Sequence, residues 1–384
     1  MIVIHILFAA LIVSGCLYSL FSLVCVVRFF GKGRTPAAGS PNDAGFSPVS
    51  VLKPLKGLEP DGADALLGFC SQDYPRSYEV LFGFRQQDDP AIPLVRKVVE
   101  SSGCRARLIV NDKGAGANQK ILNLESLVSA SRHPLLAISD SDMVVDKDYL
   151  RTIVTEFAGT GKTGIVTCLY KISNPSSVGS ALESYTIALD FIPSVLVARQ
   201  MEGITFGLGA SMLLSREALR DIGGLAPIAE FLADDYQIGF RLWKKGYTNV
   251  LSRYVMENRV GSMSIADHVT HQLRWARTYR ASRPKGFVGY GITHVFPFAV
   301  LFLIFSPGFW SLLSIAVVLA LRYSLAAVVY RKVISTGRWL AWLYILPLKD
   351  LISFFVWITS FAGSKVFWRG ASYRLIRDGR MVRV

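Results

Sequence analysis

The chain is short of acid, short of cysteine and, over its first stretch, without any charge at all. Against 42 Lys and Arg it sets only 28 Asp and Glu, a formal net charge of +14 over 384 residues. That balance favours an acidic partner, either anionic lipid or nucleic acid. No basic module interleaved with aromatic residues appears, so nucleic acid is not expected. Five cysteines (Cys16, Cys25, Cys70, Cys104, Cys168) show no CxxC or Cys/His spacing. Neither a structural zinc site nor a disulfide framework is expected from them. Residues 1–27, MIVIHILFAALIVSGCLYSLFSLVCVV, contain no Lys, Arg, Asp or Glu. At about 1.5 Å rise per residue such a run crosses a hydrocarbon core about 30 Å thick. Positive charges (Arg28, Lys32, Arg34) follow the run rather than precede it. That is the order of an uncleaved anchor, and it keeps 28–285 in the cytoplasm. What the chain has in excess is apolar surface: 51% of it is hydrophobic and its mean hydropathy is +0.37. One ordinary soluble domain is excluded by those values.

From about 45 to 285 short β-branched runs alternate with helical patterns, the signature of an α/β domain. VSVLKPL (49–55), YEVLFGF (78–84), ARLIVND (106–112) and PLLAISD (134–140) read as strands. DPAIPLVRKVVESSG (89–103) and NQKILNLESLVSASR (118–132) carry apolar residues at helical spacing. Strand, helix, strand in this order predicts a mostly parallel sheet, with ligands beyond the carboxyl ends of its strands. Asp89 and Asp140 both fall at such ends.

After 285 the composition turns apolar again. From Ile292 to Ala327 only His294 and Arg322 interrupt, enough for two spans with a break at Ser306-Pro307-Gly308. The next run, 339–362, carries Pro347-Leu348-Lys349-Asp350 at its centre. A straight helix would bury both charges at mid-membrane, at a few kcal/mol each. A re-entrant hairpin turning at Pro347, or an interfacial pair of helices, avoids this and leaves the basic loop and tail on the cytoplasmic side. The expected organisation is a transmembrane anchor (1–27), a linker (28–47), a cytoplasmic catalytic domain (48–285), two transmembrane helices (286–330), a re-entrant or transmembrane segment (339–362) and a basic tail (363–384).

Three stretches carry chemistry. The run LLAI (135–138) ends in Ser-Asp-Ser-Asp, which sets Asp140 and Asp142 one residue apart at a turn. Both can reach a hard divalent cation that also binds phosphate oxygens, although a turn or an N-cap uses the same residues. Asp234 and Asp235 open a helix in EFLADDYQIGFRLWKKGY (230–247), as caps or as part of the same site. HQLRWARTYR (271–280) gathers His271, Arg274, Trp275 and two more arginines just ahead of the membrane. Arginine grips phosphate with a fork of donors and tryptophan offers a flat face to a sugar or ring; an interfacial basic belt has the same composition. Gly207-Leu208-Gly209, in ITFGLGASMLL (204–214), permits close backbone approach at a sugar pocket or in a tight packing turn.

VSVLKPLKG (49–57), QDYPRSYEVLF (72–82), QDDPAI (87–92), GANQKILNL (116–124), SDSD (139–142), LADDY (232–236) and the Arg-Trp pair recur in this order over nearly the whole chain. Together they resemble the family 2 glycosyltransferases. More closely they resemble the ceramide glucosyltransferases of family 21 and their bacterial relatives, the hopanoid-biosynthesis glycosyltransferases. The resemblance implies a GT-A type nucleotide-sugar-binding domain with membrane helices at both ends, in a bacterial inner membrane. It implies inverting transfer of a hexose from a UDP-sugar to a membrane lipid, glucose to ceramide first, with N-acetylglucosamine to a hopanoid as the alternative. A polysaccharide synthase would use the same donor site but normally needs more membrane helices.

Residue by residue, Asp89 matches the family's first Asp, expected beside uracil and ribose. Asp140 matches the second, near the donor sugar and diphosphate. Asp142 completes an Asp-x-Asp for Mg2+ or Mn2+, where the animal ceramide enzymes have Gly. Asp235 matches the third Asp, the expected catalytic base, with Asp234 at a place more often Glu. Arg274 and Trp275 match the end of the last motif, whose first position is His271 here instead of Gln or Arg. A neutral imidazole offers a diphosphate less than a guanidinium does. Lys53 and Lys120 lie in matching stretches as holders of phosphate or uridine.

Overall fold

The computed structural model describes residues 2–31, 45–57, 62–159, 161–335 and 337–384. Lys32, Arg34 and most of the linker expected over 28–47 lie outside the described residues. The chain forms two compact units, one of Arg34–Tyr170 with Glu202–Arg259, the other of Met1–Gly33, Lys171–Met201 and Val260–Val384. The stretch 48–285, expected as one domain, therefore contributes to both. Its pieces 171–201 and 260–285 are largely helical and pack with the apolar segments.

In the first unit the apolar runs form β1 (Val49–Pro54), β2 (Tyr78–Phe84), β3 (Ala106–Val110) and β4 (Leu135–Ile138). Every residue of β1 and β4 is buried, as in a sheet covered on both faces. The order β3-β2-β1-β4 is parallel throughout. Helices Gly62–Cys70, Ile92–Ser102 and Gln119–Ala130 connect these strands. The sheet continues through β5 (Met143–Val144), β6 (Thr163–Lys171), β7 (Met212–Ser215) and β8 (Thr248–Asn258) in the order β4-β7-β6-β8-β5. Here β7 is antiparallel to β4 and β6, and β5 to β8. The chain steps from β1 outward to β3, then returns across β1 to β4. That reversal opens a crevice at the carboxyl ends of β1 and β4, where doubly wound sheets bind ligands. Leu52, Leu81, Leu136 and Ile138 from the strands pack with Ile121 and Ile238 from two helices to fill the core beneath it.

In the second unit, among the described residues, four helices are long and apolar enough to cross a membrane: His5–Gly31, Val178–Glu202, Phe309–Ile334 and Gly337–Ser360. Pro284–Thr293 and Val295–Phe305, bent by 59°, make a fifth if they are one span. These helices make the chain membrane-associated. The break expected at 306–308 separates Val295–Phe305 from Phe309–Val329. Val178–Glu202 was not singled out as a span from the sequence; 78% of its apolar window is buried in protein, whereas only 33% of the first helix's window is.

The hairpin expected at Pro347 does not form. Gly337–Ile345 runs directly into helix Leu346–Ser360, with Pro347 in the first turn, where a missing N–H is harmless. The two charges that argued for a hairpin have partners instead. Lys349 Nζ lies 2.5 Å from Asp190 and 2.7 Å from Asp350, and Arg322 lies 3.0 Å from Asp190 and 2.5 Å from Asp350. Two cations and two anions cancel, so their mutual attraction offsets much of the desolvation that each would suffer alone. The basic tail folds as a three-stranded antiparallel sheet, β9 (Lys365–Trp368), β10 (Ala371–Leu375) and β11 (Met381–Arg383).

Candidate functional site

β4 stops at Ile138, and the chain turns at Ser139–Asp142 on the carboxyl edge of the sheet. Lys53, on the neighbouring β1, is fully buried. Its ammonium donates to the Asp140 carbonyl and lies 4.1 Å from the Phe69 ring centroid. Expected as a phosphate or uridine holder, Lys53 in this arrangement braces the turn that carries Asp140.

Lys120 faces the acids themselves. Asn118 caps helix Gln119–Ala130, its side chain accepting from the amides of Lys120 and Ile121. Asn118 also donates from Nδ2 to the Phe231 carbonyl, tying this cap to the loop just ahead of Asp234. A lysine in a helix's first turn is opposed by the helix dipole, so it needs a stronger local attraction. That attraction comes from Asp140, 2.7 Å away, and Asp234, 3.1 Å away. Burial pulls the Lys120 pKa down, but the charges of Asp140, Asp234 and Asp235 outweigh it and hold the ammonium well above its ordinary value.

Asp235 sits in the first turn of helix Asp234–Lys244. Its Oδ2 accepts from the Gly209 amide at 2.8 Å and its Oδ1 from the Tyr236 amide at 2.7 Å. Burial, then the neighbouring Asp234 charge, push its pKa up to about 6, with Lys120 pulling the other way. A carboxyl poised there is ionised at neutral pH yet basic enough to take a proton, the property of a general base.

The glycine loop divides its two expected roles between its ends. Gly207 packs on the helix: a Cβ at Gly239 would lie 2.1 Å from the Gly207 amide nitrogen. Gly209 faces the acids, since a Cβ there would lie 2.9 Å from Asp140 Oδ2 and 3.3 Å from Asp235 Oδ2. Gly209→Ala is expected to lower kcat by about tenfold to a hundredfold by displacing both carboxylates. Its melting temperature should change little, because the crowded atoms are side-chain ends; unchanged kcat would remove Gly209 from the site.

Asp142 accepts from Asn258 Nδ2 at 2.9 Å, so the end of β8 holds it. Among the described residues no group of three or more His, Cys, Asp or Glu could hold a metal by itself. Two carboxylates from one turn, one of them about a third exposed, fit a hard cation that takes its other ligands from phosphate oxygens and water. Asp89 has both oxygens engaged: they accept from the Gly57 amide at 3.1 and 3.0 Å, and Oδ1 also from the Ala91 amide at 3.0 Å. It clamps the loop after β1 to the start of helix Ile92–Ser102.

Asp140, Lys120, Asp234 and Asp235 are thus brought together in the first unit. His271, Arg274 and Trp275 belong to the second, on helix Ile265–Ser282. The Trp275 ring lies 5.0 Å from His271 and 5.9 Å from Phe191. Arg277 and Arg280 donate to carbonyls of Ala362, Gly363 and Lys365, which makes them struts to the C-terminal sheet.

The sequence profile described as "Glycosyl transferase family 21" matches residues 7–381. The chain belongs to glycosyl transferase family 21. Two relatives from Caenorhabditis elegans are similar to it at modest identity. Ceramide glucosyltransferase 1 is 26% identical over 279 residues, 72% of this chain and 59% of the relative, so the chain spans under two thirds of that relative's length. Ceramide glucosyltransferase 3 is 24% identical over 349 residues, 88% of this chain and 75% of the relative. The solved mannosyltransferase PcManGT from Pyrobaculum calidifontis, in complex with GDP-Man and Mn2+, shares the fold at a TM-score of 0.53 and 16% identity, over 94% of this chain and 99% of that one. The GT-A type expectation holds at the level of fold.

Several residues that organise this family 21 chain were not singled out from the sequence. Asn118 and Asn258 position Lys120 and Asp142, and a polar residue at a helix start was the available signal for the first. Glu183 and Asp190 gave a plainer one, since acids inside an apolar helix need partners.

Proposed function

We propose that this chain is a membrane-bound inverting glycosyltransferase that moves a hexose from a UDP-sugar to the hydroxyl of a membrane lipid, with glucose and ceramide as leading donor sugar and acceptor. The observation that carries the reading is the meeting of Asp140, Lys120, Asp234 and Asp235 at the switch-point edge of the sheet, in a chain of this family. Asp235 takes the proton of the acceptor hydroxyl while that oxygen bonds to the anomeric carbon and the bond from carbon to the UDP oxygen breaks. One base and direct displacement invert the anomeric centre. Asp140 and Asp142 would hold Mg2+ or Mn2+ together with the donor's diphosphate, and such a cation neutralises charge building on the leaving group. Lys120 keeps the acids from repelling one another before the donor arrives. Asp89 serves the nucleoside by holding its loop, and Arg274 and Trp275 serve the donor on the strength of their motif. Basic residues after the first helix and in the tail support a catalytic side that faces the cytoplasm, and the resemblance to the bacterial branch supports a bacterial inner membrane.

The test incubates purified chain in detergent with UDP-glucose or UDP-N-acetylglucosamine and either ceramide or a hopanoid polyol, with products identified by mass spectrometry. A single β-linked glucose on ceramide is the expected product; no UDP release with any lipid would overturn the reading. Because a base works in its ionised form, kcat/KM should fall as pH drops through about 6, the Asp235 value. A flat profile from pH 5 to 7 would remove Asp235 as the base.

A further inference from the structure

We propose that the outer face of the C-terminal β-sheet is a docking surface for the headgroup layer of an anionic bilayer, with lipid phosphate held between Lys365 and Arg374. This face lies wholly within the helical unit, and its role goes beyond the transfer chemistry proposed above.

From Gly363 to Val384 the sequence has six Lys or Arg and one acid, Asp378. Burial along the strands alternates at period two, as in a sheet with one face covered and one open. Val366, Tyr373, Leu375 and Met381 are buried, and the sheet packs on helix Ile265–Ser282. Between β9 and β10 the turn is Arg369-Gly370, with φ of 49° and 83°, the positive values that a two-residue hairpin favours. That tight turn fixes the register. It sets Lys365 directly opposite Arg374 and Phe367 opposite Ser372, and β11 places Val382 on the other side of Arg374.

The open face is both cationic and apolar. Phe367, Val382 and Val384 are each more than half exposed, and Lys365 and Arg374 are exposed among them. Like charges directly opposite on neighbouring strands destabilise a sheet. Asp378 pairs with Arg380 at 3.2 Å, so no acid among the described residues offsets Lys365 and Arg374. An anion between the two cations turns that repulsion into attraction, and the fork of Arg374 suits a phosphate. A free phosphate would leave the apolar side chains in water. A bilayer takes the cations at its phosphates and the apolar groups just beneath them. The location agrees, because Gly337–Ser360 is long and apolar enough to cross a membrane. From Ser360 to Lys365, where β9 begins, the chain reaches at most about 17 Å even when extended. The sheet is therefore held close to the headgroups.

The test places the full chain in nanodiscs of phosphatidylcholine alone or with about a third phosphatidylglycerol. The initial rate of tryptic cleavage after Arg369, at the hairpin turn, is followed by mass spectrometry, with cleavage after Lys113, in an exposed loop of the sheet unit, as internal reference. Relative to Lys113, the Arg369 rate should fall about tenfold in the anionic discs and recover at high salt. Lys365→Gln combined with Arg374→Gln keeps both cleavage sites, and in that variant the two lipids should differ less than about twofold. Its melting temperature in neutral discs should not fall, because only opposed like charges are removed; a fall would make the pair structural and overturn the assignment. Equal wild-type cleavage in the two lipids, or protection that the double variant keeps, would overturn it as well. So would protection in neutral discs by inorganic phosphate alone, which assigns the pair to a soluble anion, or protection that appears only with two chains per disc, which assigns the face to a second copy.

Discussion

Asp235→Asn is expected to lower kcat by about 10²- to 10⁴-fold, the contribution of a positioned general base, while UDP still binds. The change keeps the shape of the side chain but removes its capacity to take a proton. Two effects on folding oppose each other. The carboxylate accepts from both the Gly209 and Tyr236 amides, and an amide has one oxygen to serve them, a loss of about 1–3 kcal/mol. Against that, the wild-type carboxyl has its pKa raised to about 6, so ionising it at pH 7 costs the fold on the order of 2–3 kcal/mol. The sign follows: a folded pKa above the unfolded one means a penalty present at neutral pH that fades as pH falls through 6. Near-equal melting temperatures at pH 7 are therefore expected, with wild type alone gaining on acidification to pH 5. Turnover within tenfold of wild type would remove Asp235 from the chemistry. Loss of UDP binding together with turnover would assign it to the donor site instead.

Lys120→Met should destabilise the sheet unit by about 3–5 kcal/mol, because it strips the counter-charge from a buried acidic cluster. The lysine is 7% exposed and touches Asp140 and Asp234 directly. Methionine fills nearly the same volume, so packing contributes little to the loss. Without the ammonium, mutual repulsion of the acids grows as they ionise, and the deficit should be larger at pH 8 than at pH 6. The acid limb of the rate profile should also move upward, since Lys120 lowers the Asp235 pKa in the wild type. Added Mn2+ should restore part of the melting temperature, because a cation bound only by the folded state stabilises it by mass action. Thermal melts at both pH values with and without Mn2+ decide the matter. A loss under about 1 kcal/mol would mean that solvent already screens the cluster.

The elements nearest the candidate site were legible because each is written in consecutive residues. YEVLFGF is a strand over its full length, and the first two helices that periodicity indicated appear within a few residues of their expected bounds. A run buried on both faces has to be apolar at nearly every position, and a helix buried on one face has to repeat at its own period. The Asp-x-Asp turn was legible for the same reason, as a polar pair stopping an apolar run.

The fate of single charges was not legible in that way. Lys53 and Lys120 were both expected as holders of phosphate or uridine, yet one turns inward to a carbonyl and the other reaches across to two acids. Lys349 and Asp350 argued for a hairpin only so long as Asp190 and Arg322, far away in the chain, were not known to meet them. By itself the amino-acid order determined the membrane association, the alternation of strand and helix, and the acids that end one apolar run and open a later helix, because hydrophobic period and turn chemistry act over a few neighbours. Tertiary structure alone decided which acid Lys120 neutralises, that Glu183 holds His271, and that a charged helix interior closes on itself. Those pairings join residues tens to hundreds of positions apart, and a charge's local pattern holds no record of the partner that folding brings to it.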